Sequence, residues 1–436
     1  MTIKIQRRLV KIALATIFIT IIIFAGSTMF ISKPTDAGSS ITETIPQIHI
    51  YSGETPLTDI TDKTIVYHNN STTIDANGIT QSFDDIEIKG RGNTTWINQP
   101  KKPYQIKFQE KVDLFGMGKA RKYILLANAF DYAHIRNDAA FYLEHLLNQP
   151  YALKGEFVEL YIDDDYRGLY YLTQKIEIGK SRIDLREPTG IIVELENMRS
   201  NETTCYYTNS GTCLSISDVV DENQSGQAIQ NFIDAYNALE KAIAAKDYKT
   251  ISSLIDVDSF AKYYLLSEFT VNPDAYATSF FFYKDGLEDK IHAGPGWDFD
   301  LAFCNHNWTT DDQEFYSPYA HQAIRNIISK TNQNTSFVYS NLILDLTEIP
   351  EFYARVTEIY QSTLSNHKID FINHVRKTMN RIAIAAVKDN SLWNQYDYNI
   401  ATSEFLDWVS KRYDYLEREF NNKIYTPTLH TITDSV

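Results

Sequence analysis

Apolar and polar residues alternate along much of the chain from residue 48 to 178, and this period of two predicts β-strands. The alternating segments are IPQIHIYS, KTIVYHNN, SFDDIEIKGRGNTTW and KKPYQIKFQEK. A further segment, EFVELYIDDDYRGLYYLTQKIEI, has two apolar strands around an Asp-Asp-Asp turn and predicts a hairpin. GIIVELEN predicts one more strand.

Helical periodicity appears at Ala133–Leu147, over residues 224–270 and from about residue 320 to 425. Between the last two, TSFFFYKDG predicts a strand that pairs with a second strand from Ile291 to Phe303. Strands come first and helices last, so the order favours an α+β fold over alternating β-α units. We expect a domain at 48–425, with a β-rich lobe at about 48–223 and a helical lobe at 224–425 that carries the acid-bearing hairpin.

The N-terminus predicts a membrane anchor. Residues 1–11 carry four cations, and Ile12–Ser32 then runs without a charge, long enough for the roughly 20 residues of a membrane-spanning helix. Cations stay on the cytoplasmic side, so the sequence predicts a single-pass cell-membrane protein whose domain lies outside, with residues 33–47 as a linker and 426–436 as a tail. Cleavage of this segment as a signal peptide is the alternative, and it would make the protein secreted.

Net charge and cysteine content limit which partners, compartments and metals are compatible with the sequence. A formal net charge of −15 disfavours nucleic acid, whose phosphates require clustered cations, and it is compatible with a basic protein substrate. Cys205 and Cys213 flank a short turn, where an extracytoplasmic disulfide and two free thiols are equally compatible with the sequence. No Cys/His cluster indicates zinc.

The two aspartates in GPGWDFDLAF are candidates for a metal-binding site. In a strand, Trp297 and Phe299 would share one face, and Asp298 and Asp300 the other. Two carboxylates on one face repel each other, and a bound cation would remove that penalty. The plainer alternative is a strand end whose aspartates face water.

A third acid completes the pattern. Asp274 follows Asn272-Pro273 at the end of a helical segment, and the predicted hairpin would bring Asp274 near Asp298. One carboxylate that orients a hydroxyl and another that holds Mg²⁺ on phosphates are what phosphoryl transfer requires. A loop residue of no special function is the alternative for Asp274.

Ordered motifs between about Ile86 and Asn305 closely resemble the CotH family, the spore-coat protein H-like atypical kinases. These motifs are KGRGNTTW, KKPYQIKF, DLFGMG, YILLANAFDYAHIRNDAAFYL, YIDDDYRGLYYLTQKIEIGKSRID and GPGWDFDLAF. The resemblance implies a divergent protein-kinase-like fold of two lobes. It also implies use of ATP with Mg²⁺, or Mn²⁺ as an alternative, to phosphorylate Ser or Thr of surface or coat proteins.

Residue roles follow from that resemblance. Asp298 matches the metal-binding aspartate, and Asp274 matches the catalytic-loop aspartate. Asn272 matches a common family position and is expected at the nucleotide. Ordinary kinases carry a metal-binding Asn five residues after the catalytic Asp. That offset gives Ser279 here, so Asp300 is the expected second metal ligand.

The phosphate end of the site has several candidates. Arg91 belongs to the glycine turn KGRGN, which could present amides to phosphate. Lys107 and Lys175 are candidates for the phosphate-pairing lysine, with Lys102 as a rival, although strand lysines usually face solvent. Arg136 is expected to contact phosphate or to brace an acid.

Two departures from the family pattern qualify this interpretation. Gln174 stands where relatives more often have Glu, and Cys304 stands where they have Gly. A surface binding or assembly protein that has lost activity is therefore the alternative function, and a metal-dependent hydrolase is a third.

Overall fold

The strands of the first half close into a barrel in the computed structural model, which describes residues 44–57, 60–197, 204–305, 317–320, 322–323, 325 and 340–422. The barrel strands are β1 (Gln47–Tyr51), β2 (Tyr67–Ala76), β3 (Ile79–Gly90), β4 (Tyr104–Val112), β5 (Ala120–Leu126), β6 (Gly155–Ile162) and β7 (Asp165–Gln174). Their spatial order is β1-β2-β3-β4-β5-β7-β6. The parallel pairing of β1 with β6 closes the ring. Helix α1 (Thr94–Asn98) lies between β3 and β4, and α2 (Arg136–Leu146) lies between β5 and β6.

The apolar side chains of the alternating segments fill the interior of the barrel. Ile48 and Ile50 of β1 and Ile86 and Ile88 of β3 are fully buried in its core, as period-two packing requires. The predicted hairpin is β6–β7, joined at Asp163-Asp164, whose φ values are 49° and 65°. Two residues at positive φ form the tight connection that matches strand twist, and Asp tolerates that conformation.

A second sheet combines strands from both predicted lobes. It contains β8 (Ile191–Leu195), β9 (Tyr206–Tyr207), β10 (Cys213–Val219), β11 (Phe280–Lys284) and β12 (His292–Ala293), in the order β12-β11-β8-β10-β9. Strand β11 follows the helices of residues 225–270, yet it pairs with β8. A disulfide joins Cys205 and Cys213, which resolves the alternative that the sequence left open.

Helices form most of the remainder. They are α3 (Ser225–Ala244), α4 (Tyr248–Leu254), α5 (Val257–Thr270), α6 (Leu342–Leu346), α7 (Pro350–Ser362), α8 (Lys368–Leu392) and α9 (Tyr398–Asn422). Asp247 and Asp256 cap α4 and α5 by accepting backbone N–H groups. The mixed α+β class, with a β-rich N-terminal part and a helical C-terminal part, is confirmed. Its likeness to a two-lobe kinase stays a prediction.

The predicted anchor Ile12–Ser32 lies outside the described residues. Within the part of the chain that the structure describes, no helix is long and apolar enough to cross a membrane.

The expectation of a strand from Ile291 to Phe303 is wrong for most of its length. Only His292 and Ala293 pair with β11, and residues 294–303 form a loop, called here the acid loop. Gly294 has a φ of 102°, outside strand geometry, and Pro295 has no N–H to donate to a ladder. Trp297 and Phe299 are both buried, so they anchor the acid loop without strand pairing.

Helix α2 holds the acid loop in place by three side chains. Glu144 Oε1 accepts a hydrogen bond of 2.7 Å from Gly296 N. Asn137 Oδ1 accepts one of 3.0 Å from Phe299 N. Arg136 Nε donates to the carbonyl of Ala302 at 3.0 Å. The loop conformation is therefore determined by a helix more than 150 residues away in the sequence.

A buried ion pair joins the barrel to α8. Lys101 Nζ lies 2.7 Å from Asp389 Oδ1, and both side chains are fully buried. Lys101 also donates to the Leu169 carbonyl at 2.6 Å, and Asp389 accepts from Leu169 N at 2.7 Å. The N–H of Leu169 in β7 thus bonds directly to Asp389 of α8, and the carbonyl of Leu169 bonds to Lys101, which pairs with the same aspartate.

We expect Lys101→Met to destabilise the protein by about 3–5 kcal/mol, because it leaves Asp389 buried without its cation. Urea unfolding measures the change. Lys107→Met is the matched control, because it removes a lysine from a half-exposed ion pair with Glu87 and should cost about 1 kcal/mol or less. Equal losses in the two variants would contradict the assignment.

Glu144→Gln should change how stability depends on pH. Burial raises the pKa of Glu144 from 4.5 to about 8, and the hydrogen bond from Gly296 only partly opposes this. The folded state then holds a proton that the unfolded state releases, so wild-type stability falls as pH rises from 4.5 to 8. We expect the stability of Glu144→Gln relative to wild type to rise by about 1.4 kcal/mol per pH unit in that window.

Urea unfolding at several pH values tests this, since other titrating groups cancel in the difference. A difference that stays constant from pH 5 to 8 would show that Glu144 is ionised in the folded state.

Candidate active site

Two adjoining cavities form a cleft beside the acid loop. The first, called the acid cavity, has a volume of about 550 Å³ and five carboxylate side chains along its lining. The other, called the second cavity, has a volume of about 600 Å³. The lining that both cavities share consists of Arg91, Gln105, Glu194, Ser215 and Trp297. Both volumes lie in the range of small-molecule sites.

The three predicted acids Asp274, Asp298 and Asp300 all line the acid cavity. Asp298 has a φ of 65°, an uncommon conformation for a non-glycine residue that recurs at functional sites. Ser279 Oγ lies 3.5 Å from Asp298 Oδ2. The chain thus brings together residues 274, 279, 298 and 300, and the roles assigned to them stay predictions.

Asn272 connects the two principal acids. Its Oδ1 accepts a 3.1 Å hydrogen bond from Asp274 N, and its Nδ2 donates a 3.1 Å bond to the Asp298 carbonyl. Asn272 is 3% exposed and lines neither cavity. The amide of Asn272 is thus used at both ends to position Asp274 and Asp298, and its contact with the nucleotide stays a prediction.

Electrostatic repulsion among the acids is strong. Burial raises the pKa of Asp274 to about 7, and the charge of Asp298 adds to the effect. Burial also raises the pKa of Asp298, while Arg91 and Ser279 oppose this. The pKa of Asp300 lies well above its usual value because of burial and the charges of Asp298 and Asp274. A cation in the cavity would relieve this repulsion.

The donor set fits Mg²⁺, which prefers oxygen ligands and takes one or two carboxylates together with substrate phosphates. Asp298 and Asp300 would hold the ion. No group of three or more His, Cys, Asp or Glu residues forms a complete metal site among the described residues.

Arg91 is a cation that both cavities share. Its guanidinium lies 5.2 Å from the centre of the Trp297 ring. Burial lowers its pKa, whereas the charges of Asp298 and Glu194 raise it. The contact between KGRGN and phosphate stays a prediction.

The three lysines that are candidates for the phosphate contact lie at different places in the structure. Lys175 lines the second cavity. Lys107 lines neither cavity, and its Nζ pairs with Glu87 at 2.9 Å. Lys102 donates to the Trp96 carbonyl at 2.5 Å. The structure thus places the charge of Lys107 beside Glu87, outside both cavities, and its contact with phosphate stays a prediction.

Sequence reasoning missed Glu194 and Glu196, which also line the acid cavity. Burial raises the pKa of Glu194 to about 8, with further contributions from the charges of Glu196 and Asp298. The available signal was the alternation in IIVELEN, which places Glu194 on the face of β8 opposite to that of Val193 and continues to Glu196, just after the strand. Alternation alone could not show that this face borders the acids.

The other residues named in the sequence analysis have structural partners or lie on the surface. Arg136 pairs with Asp131 as well as with the acid loop, so it braces an acid. Gln174 donates to the Met117 carbonyl at 2.8 Å and accepts from Lys154 N at 2.9 Å. Cys304 is an exposed free thiol.

Comparison with known proteins agrees with this geometry. A family model described as CotH kinase protein matches residues 86–416. No curated protein gives a significant match. Since the family match spans most of the 436 residues and includes every acid of the cleft, the chain belongs to the CotH kinase protein family.

Proposed function

We propose that the protein is an extracytoplasmic, Mg²⁺-dependent protein kinase that transfers the γ-phosphoryl group of ATP to Ser or Thr hydroxyls. The observation that carries this proposal is the meeting of Asp274, Asp298 and Arg91 around one cleft. Family membership supports it. A protein that only binds partners gains nothing from three repelling carboxylates in one buried cavity.

Asp274 would orient the acceptor hydroxyl and receive its proton. The hydroxyl oxygen bonds to the γ-phosphorus, and the bond between that phosphorus and the β–γ bridging oxygen breaks, which releases ADP. A metal held by Asp298 and Asp300 supplies positive charge at the phosphates when bound. Arg91 adds a fixed charge on the same side, so positioning and charge neutralisation account for most of the catalysis.

The second cavity is our proposed nucleoside site. Ile124, Ile216 and Phe281 give it one apolar wall for the base, and polar side chains such as Ser215 and Ser217 line the rest. Arg91 and Lys175 also line it. With the base in this cavity, the phosphates would extend past Arg91 toward Asp298.

The disulfide between Cys205 and Cys213 supports the proposed location, because such bonds persist in oxidising compartments. The substrate would then be a surface or coat protein that bears Ser or Thr. The predicted N-terminal anchor would keep the kinase at the membrane.

We expect Asp298→Ala to abolish the metal-dependent binding of ATP. In a thermal-shift titration of the full chain in mild detergent, ATP at about 100 times its Kd should stabilise the wild type by roughly 2.7 kcal/mol in the presence of Mg²⁺. The variant should show little or no shift, since it lacks the metal ligand.

Asp84→Ala removes an exposed acid on β3 and serves as the control that keeps the shift. Absence of a shift in the wild type would sink the nucleotide assignment and favour the surface binding protein.

Asp274→Asn should separate binding from chemistry. Asn keeps the shape of the side chain but cannot accept the hydroxyl proton, so transfer of labelled γ-phosphate to a Ser/Thr peptide library should fall about 10²–10⁴-fold. The thermal shift with ATP and Mg²⁺ should persist. Transfer at the wild-type rate would remove Asp274 from the catalytic role.

A further inference from the structure

A third cavity lies at the end of β7 and carries three cations. Its volume is about 340 Å³, and Lys154, Lys175 and Arg182 line it. No carboxylate is found among the described residues of its lining, although the chain as a whole carries a net charge of −15. We call this cavity the cationic pocket. Its size lies at the lower end of the range for small-molecule sites.

Arg182 is the buried anchor of the cationic pocket. It is 7% exposed, and its Nη1 donates to the carbonyls of Met117 and Ser181 at 2.9 and 2.8 Å. Its Nε and Nη2 have no hydrogen-bond partner in the described part of the chain. A buried guanidinium with unused donors and no carboxylate partner is unfavourable, and an anion would complete it.

The two lysines add charge at the same cavity. Lys154 is exposed. Burial lowers the pKa of Lys175, and Glu177 provides the strongest opposing charge. Glu177 itself lies 3.5 Å from Lys122, so its charge is shared between two lysines. The balance of charge around the cationic pocket therefore remains positive.

One wall of the cationic pocket is built by a close approach of two loops. Gly118 has a φ of 80°, and a Cβ at that position would lie 2.5 Å from the Cβ of Ser181. Only glycine permits this contact. The approach brings Ser181, and with it Arg182, against the loop of residues 113–119, so the lining is held by packing.

We propose that the cationic pocket binds a phosphomonoester group as a second ligand site, separate from the acid cavity. A guanidinium fork with two ammonium groups matches a doubly charged phosphate better than a single carboxylate. Lys175 and Ile176 line both the cationic pocket and the second cavity. A bound phosphate therefore adjoins the cleft through these two residues.

Isothermal titration calorimetry of the full chain in mild detergent, with cleft ligands kept out of the solution, tests the proposal. The probes are inorganic phosphate and a short phosphoserine peptide, with the unphosphorylated peptide as a blank. Wild type should bind at least one phosphorylated probe. Lys154→Glu should weaken that binding about tenfold or more, because it places a carboxylate beside the ligand.

Lys111→Glu makes the same charge change at an exposed site on β4 and should keep wild-type affinity. Asp298→Ala should also keep it, which separates this site from the proposed kinase site. Tighter binding of the phosphopeptide would identify a phosphorylated side chain as the source, and tighter binding of inorganic phosphate would identify a small free phosphate. Binding that Lys154→Glu leaves unchanged, or no binding of either probe, would overturn the proposal.

Discussion

The ion pair between Lys101 and Asp389 is the contact on which the arrangement of the cleft depends, because it ties the barrel to α8 where neither side chain reaches water. From that point a chain of polar contacts leads toward the acids. His134 lies 2.7 Å from Asn390 of α8, and its carbonyl accepts from Asn128 Nδ2. Asn137 donates to Asn128 and accepts from Phe299 N in the acid loop. Burial makes each of these contacts costly to break, so the acid loop takes its position from the junction of barrel and helices.

The carboxylates of the acid cavity repel one another, and other contacts in the fold must offset this destabilisation. Asp298 raises the pKa of Asp274, and both raise the pKa of Asp300; the protein tolerates this because α2 and Asn272 hold the backbone of the acids by hydrogen bonds. Among the described residues, Arg91 is the cation that lowers the pKa of Asp298. Perturbed carboxylates in a cleft are a mark of functional sites, and the same crowding that costs stability makes the cavity receptive to a cation.

Charge is divided along the cleft and its neighbour. Five carboxylates line the acid cavity, Arg91 and Glu194 line both this cavity and the second cavity, and the cationic pocket has three cations and no carboxylate among the described residues of its lining. In the proposed function, the ATP phosphates and the metal would meet at Asp298, whereas the second phosphate would lie in the cationic pocket. Such separation lets one small region bind groups of opposite charge without neutralising its own side chains.

The sequence by itself determined the local elements. Alternation located the barrel strands except β5, helical periodicity located α2, and the family resemblance singled out Asp274, Asp298 and Asp300. Tertiary structure decided the rest. Four features join residues that are far apart in the chain. They are the parallel pairing of β1 with β6, the hydrogen bonds from α2 to the acid loop, the ion pair of Lys107 outside the cleft, and the position of Glu194 in the cleft lining. Periodicity reports only which residues share a face, whereas the partner that covers that face is set by long-range packing.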